Sequence, residues 1–167
     1  MSMAINDLLL SELDAEARKT RKVLERVPPG RADFVPHAKS MPLGKLAAHL
    51  AQLGSFGNVI LTTPGLDFST AGFKPLAFES PEQLVRVFDG HIAQVRSSLA
   101  AAPADAWEQP WVLRSGPTVF MDARRFDAYR ALFLNHIVHH RAQLGVYLRL
   151  LDVPVPSTYG PSADEPM

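Results

Sequence analysis

The run Asn135-His136-Ile137-Val138-His139-His140-Arg141-Ala142-Gln143-Leu144 places three of the chain's six histidines within five residues. Around it Phe133, Ile137, Leu144, Leu148 and Leu151 recur at helical spacing, which predicts an amphipathic helix. On such a helix His136 and His140 stand one turn apart, their imidazoles on one face and about 6 Å from each other. Neutral imidazoles at i, i+4 form half of a tetrahedral site for zinc, nickel, copper or iron, so the remaining ligands must come from elsewhere. His139, three residues from His136, could compete as its partner, but it lies about 100° round the helix from His140, so all three cannot point at one ion. It is expected beside the ligands or at an interface.

Composition sets the frame for that helix. A chain of 167 residues with 47% hydrophobic and 20% charged residues suits one domain, 1–167, with a core from about residue 3 to residue 152. Lys plus Arg equals Asp plus Glu, at 17 each, so the chain lacks the basic field of a nucleic-acid binder. No apolar run approaches the ~18 residues of a membrane span, and the start Met1-Ser2-Met3-Ala4-Ile5-Asn6-Asp7 lacks the basic flank of a signal peptide. The expectation is a cytoplasmic protein that engages neither nucleic acid nor membrane. With no cysteine, disulfides and thiolate nucleophiles are excluded, and histidine and carboxylate are left as the strong metal ligands.

Outward from the histidine run, the pattern predicts four long helices. The first runs from about Ile5 to Val27 with a stripe of Leu9, Leu13, Ala17, Thr20 and Leu24, and Pro28-Pro29-Gly30 ends it. Residues Arg31 to Lys39 read as a loop. Ser40 is the expected N-cap of the second helix, which extends to about Leu61 with Pro42 in its first turn. Its inward face reads Leu46, His49, Leu50, Leu53, Phe56 and Ile60, so His49 occupies a core-facing slot. A long loop carrying Phe68, Phe73 and Phe78 then crosses over one end of the bundle to Ser80. Ser80-Pro81-Glu82-Gln83 has the capping-box pattern, and Leu84, Phe88, His91, Ile92, Val95 and Leu99 carry the third helix to about Ala101. Trp111-Val112-Leu113 and Thr118-Val119-Phe120 flank a turn at Ser115-Gly116 and predict a short β-hairpin, against which Trp107 and Trp111 are expected to pack. The last helix is expected from about Ala123 to Leu151, followed by a tail without further elements.

The fold class is therefore all-α: a four-helix bundle with a long crossover loop and a short β-hairpin before the last helix. In a bundle, His49 and the His136/His140 pair converge if the second and fourth helices are neighbours. That gives three nitrogens and an open fourth position, the arrangement of a catalytic or substrate-binding ion. His91 is expected as a satisfied core histidine and His37 as an exposed one. Arg141 and Gln143 flank the ligands, where surface roles explain them as well as roles in ordering a substrate or partner helix.

Ala48-His49-Leu50 on the second helix, paired with the histidine run on the fourth, resembles the DinB-like (YfiT/DinB) family of metal-binding four-helix bundles. Lys39-Ser40-Met41 and the tail Val153-Pro154-Val155-Pro156-Ser157-Thr158-Tyr159-Gly160 extend the resemblance over most of the chain. The resemblance implies metal ligands at His49, His136 and His140. Ala142 stands where the family motif often has glycine, a change that leaves ligation undisturbed. As to function, the resemblance implies a wide range, from thiol transferases and isomerases that use low-molecular-weight thiols to hydrolases.

Other metal and hydrolase classes fail on their spacings. A ferritin-like di-iron oxidase needs Glu-x-x-His pairs, and His91, His136, His139 and His140 all lack a glutamate three residues before them. A zincin needs His-Glu-x-x-His, and a serine hydrolase needs a Gly-x-Ser-x-Gly elbow; neither is present. Two classes stay open. One is a metal-dependent enzyme that transfers a small thiol to an electrophile, or a hydrolase, with zinc, nickel or iron and no evident general base. The other is a non-catalytic small-molecule sensor or stress-related binding protein. A homodimer is expected from the apolar surface that four such helices leave over.

Overall fold

A computed structural model describes residues 4–166. Three long helices are uninterrupted: α1 (Ile5–Leu24), α2 (Leu43–Thr62) and α3 (Pro81–Ala101). The fourth rod is built from α4 (Arg125–Tyr129), a π-helical turn (Arg130–Leu134) and α5 (Asn135–Leu150). Packing pairs α1 with α3 and α5, and α2 with the same two helices, so α1 and α2 face each other across the diagonal. The second and last rods are therefore neighbours, as convergence of the histidines requires. The bundle is held by one core in which Leu13, Leu24, Leu50, Leu84, Phe88, Phe133 and Leu144 are almost wholly buried. Close approach of the rods is set by small residues: a Cβ at Gly57 would lie 2.8 Å from the Phe133 ring.

The helix boundaries follow local chemistry, with some departures from the pattern reading. α1 ends at Leu24, three residues before Val27, although Val27 itself is buried. α2 begins at Leu43 with Pro42 in the cap position, so Ser40 does not cap it. The carbonyls at its far end are met instead by Arg125, whose Nη1 donates to Ile60 O at 2.7 Å and Leu61 O at 3.0 Å. At α3, Ser80 Oγ accepts from Gln83 N at 3.2 Å as the capping pattern predicts. The Gln83 side chain reaches one residue further back and accepts from Glu79 N at 3.0 Å. The fourth rod starts at Arg125 and is interrupted by the π turn, where Asn135 N–H donates to Arg130 O, five residues back.

The hairpin is present and longer than its apolar triplets suggest: β2 (Pro110–Ser115) pairs antiparallel with β3 (Thr118–Arg124). Its turn centres on Gly116, whose φ of 55° favours glycine. The crossover contributes a strand where the residue pattern predicts only loop. β1 (Gly65–Asp67) pairs parallel with β2 and completes a three-stranded sheet of order β1-β2-β3. Asp67 locks this junction, accepting from the Ser69 hydroxyl at 2.6 Å and from Gly116 N at 3.0 Å. Trp107 and Trp111 are both buried in the core, Trp107 with its ring edge-on to Phe126 and Tyr129. No helix among the described residues is long and apolar enough to cross a membrane.

The tail has no regular element but is bound down residue by residue. Asp164 accepts from Val155 N at 2.8 Å, Glu165 accepts from Ser157 N at 3.1 Å, and Arg26 ion-pairs with Glu165.

Candidate metal centre

His49 projects from the middle of α2, while His136 and His140 project from the first turns of α5. The neighbouring packing of those helices brings the three rings together, with centroids 5.2 Å apart for His49 and His136, 4.7 Å for His49 and His140, and 4.5 Å for His136 and His140. One ring nitrogen from each lies within 4.8 Å of the other two. Nitrogens placed ~2.1 Å from a tetrahedral ion stand about 3.4 Å apart, so small ring rotations suffice to bring this set to ligating separation. All three rings are half-buried.

The hydrogen bonds fix how the α5 pair is presented. His136 Nδ1 donates to Leu132 O at 3.3 Å, a carbonyl that can only accept. His140 Nδ1 donates to Gln143 Oε1 at 2.7 Å. Each ring therefore carries its proton on Nδ1 and turns an Nε2 lone pair inward, and the two Nε2 atoms lie 2.7 Å apart. Two lone pairs at that distance repel in the absence of a shared cation. Bonds from the distal ring nitrogen to a carbonyl or amide oxygen are the usual outer support of metal-ligating histidines. Burial lowers the His49 pKa to about 4, with His140 and His136 adding to the effect. Burial also lowers His136 and His140, against the opposing pull of the Leu132 carbonyl and the Gln143 amide respectively. The rings are thus neutral at pH 7, the protonation state that ligation requires. The donor set fits a divalent transition ion, and there is space beside two of its three rings.

That space is a cavity of about 210 Å³ against His49 and His136, walled by Leu53, Phe56, Leu113 and Leu132, with Phe68 and Phe73 near its mouth. Gln52, one turn beyond His49, secures the covering loop: its amide donates to Lys74 O at 3.1 Å and accepts from Leu76 N at 2.7 Å. Phe56 packs partly buried against the bundle core, as its spacing predicts, and also forms part of the cavity wall.

The remaining candidates separate cleanly. His139 is exposed and lies outside the cluster, its ring edge-on to His140 at 4.8 Å. His91 is half-buried where α3 crosses α2 against Gly54, and His37 is exposed. Arg141 departs most from its surface reading: it is only 3% exposed and ion-pairs with Glu16 of α1 at 2.7 Å. It also donates to Thr20 Oγ1 at 3.2 Å and to Tyr159 OH at 2.9 Å, while Tyr159 donates to Glu16 at 2.6 Å. The residue directly after His140 thus joins α5 to α1 and to the tail. Gln143 likewise has a definite partner, His140, and its i+3 spacing was the available signal.

Comparison with known proteins agrees with this architecture. A DinB-like protein from Bacillus subtilis superposes with a TM-score of 0.69 at 15% identity, covering 90% of this chain and 97% of that one. A structure assigned to the DinB family from Exiguobacterium sibiricum gives 0.65 at 21% identity, covering 93% and 98%. A DinB-like protein from Bacillus cereus gives 0.69 at 19%, covering 95% and 100%. No curated protein matches the chain. The sequence model described as the DinB superfamily matches residues 12–144, a span that contains all three clustered histidines. The chain belongs to the DinB superfamily.

Proposed function

We propose that His49, His136 and His140 hold a divalent ion and that the protein transfers a small thiol to an electrophile. The observation that carries this reading is the inward pair of Nε2 lone pairs at 2.7 Å, each ring held in place through its Nδ1, beside a cavity large enough for a small molecule. An ion bound there supplies a Lewis acid that makes a nucleophile available near neutral pH. The protein's own residues do the rest. Leu132 O and Gln143 orient the two α5 imidazoles, Gln52 keeps the covering loop closed over the cavity, and the apolar wall excludes water from the reacting groups.

Thiol transfer is favoured over hydrolysis by the character of that wall. None of the side chains that line the cavity is a carboxylate, and no other base stands ready to take a proton from water. A thiol ionises far more readily than water and needs less help. In the transfer, a new S–C bond forms as the bond from that carbon to its leaving group breaks. The leaving group departs with the electron pair and the thiol proton passes to solvent.

The test is turnover by zinc-loaded and nickel-loaded protein with a panel of small thiols and an alkyl halide or epoxide acceptor. Activity that disappears in His49→Ala and persists in His37→Ala supports the enzyme. Absence of turnover with every thiol and acceptor, in protein carrying one ion per chain, would assign the site to non-catalytic binding.

A further inference from the structure

The cavity beside the histidines limits what can enter it. At about 210 Å³ it is smaller than the ~300 Å³ at which pockets begin to take drug-sized molecules. Its wall is formed by Leu53, Phe56, Leu113 and Leu132, and its two uncharged polar side chains are already engaged. Ser55 donates to Gln52 O at 2.8 Å, and the Gln52 amide is bonded to the covering loop. No side chain lining the cavity carries a fixed charge, so away from the histidine cluster a charged group taken into it would be desolvated without a partner.

The approach to the cavity is apolar as well. Phe68, Phe73 and Phe120 are 42%, 50% and 59% exposed, high values for phenylalanine on a surface. Phe68 lies 6.1 Å from Phe56 inside and 6.4 Å from Phe120 outside, so three rings lead from solvent to the cavity wall. The crossover and the hairpin supply the outer two of these rings.

We infer that the reactant seated in this cavity is a small uncharged molecule whose aromatic or branched-aliphatic body lies against Phe56 and Phe68, with its reacting head toward His49 and His136. This deepens the metal-dependent reading above and rests on it. Lys45 lines an adjoining recess of about 130 Å³ that shares His49, Gln52 and Phe73 with the cavity, and that is where a carboxylate-bearing molecule would find a cation instead.

Titration calorimetry on protein loaded with one zinc per chain tests the inference, with phenylmethanethiol, 2-mercaptoethanol and 3-mercaptopropionate as probes. Burial of the phenyl ring predicts that phenylmethanethiol binds about tenfold or more tightly than the other two. Phe68→Ser, at a half-exposed position that lines this cavity and not the Lys45 recess, is expected to weaken phenylmethanethiol about threefold or more and leave zinc content and 2-mercaptoethanol unchanged. Binding of 3-mercaptopropionate as tight as that of phenylmethanethiol, and its loss in Lys45→Ala, would overturn the inference while leaving the metal reading intact. Protein that takes up no zinc would overturn both.

Discussion

Replacing Arg141 with alanine tests whether the buried ion pair behind the histidines holds the rods together. Arg141 and Glu16 are 3% and 6% exposed, and the guanidinium makes its 2.7 Å contact with a carboxylate that has left water. Breaking a buried pair by removing one partner costs about 3–5 kcal/mol, because the other charge stays buried. Glu16 would still accept from Lys19 at 2.8 Å and from Tyr159 at 2.6 Å, which places Arg141→Ala at the lower end, about 3 kcal/mol. For a chain of this size that corresponds to a fall in Tm of about 6–12 °C. Urea denaturation followed by far-ultraviolet circular dichroism measures it, and the double variant Glu16→Met, Arg141→Met is expected to recover to within about 1 kcal/mol of the parent. The pH dependence has a definite sign. Burial raises the Glu16 pKa, but hydrogen bonds from Lys19, Tyr159 and Arg141 outweigh it and hold the group below its usual 4.5. Its contribution is therefore complete above the unfolded pKa and is lost as pH falls through the lower folded value, a decline that Glu16→Gln should flatten. An Arg141→Ala protein within about 0.5 kcal/mol of the parent would refute the reasoning.

Three further outcomes follow from particular contacts. Gln143→Ala removes the acceptor that orients His140 and is expected to weaken zinc binding about 10–100-fold, read by chelator competition, with the thermal stability of the metal-free protein unchanged. Gly57→Ala puts a methyl 2.8 Å from the Phe133 ring and should destabilise the protein by about 1–3 kcal/mol in urea, whereas a neutral result would mean that the rods are free to move apart. Asp67 should titrate at about 2, held down first by the Ser69 hydroxyl and then by Gly116 N–H; carboxyl resonances that titrate near 3.8 would contradict the β1–hairpin lock.

Much of the bundle is written in local patterns. The stripe of Leu9, Leu13, Thr20 and Leu24, the cap at Ser80, and His49 among Leu46, Leu50 and Leu53 all depend on spacings within one helix, and each keeps its expected face. What was not legible depends on distant partners. β1 is three residues long, too short for an alternation signal, and its parallel partner Val112 lies far along the chain from Gly65. Arg141 reads as a surface residue because its burial requires Glu16 and Tyr159, contributed by opposite ends of the sequence. The π turn at Arg130–Leu134 leaves no trace in the apolar periodicity, although it ends two residues before His136. Phe56 has core spacing, but whether a core position faces packing or a cavity is decided by what the other rods place opposite it.

The most direct test of the account is the metal content of protein purified without a histidine tag, measured by elemental analysis after reconstitution with zinc. The account predicts one ion per chain in the parent, in His37→Ala, in His91→Ala and in His139→Ala, and strongly reduced uptake in each of His49→Ala, His136→Ala and His140→Ala. A parent that binds no ion, or a His49→Ala protein that binds it as tightly as the parent, would contradict the account.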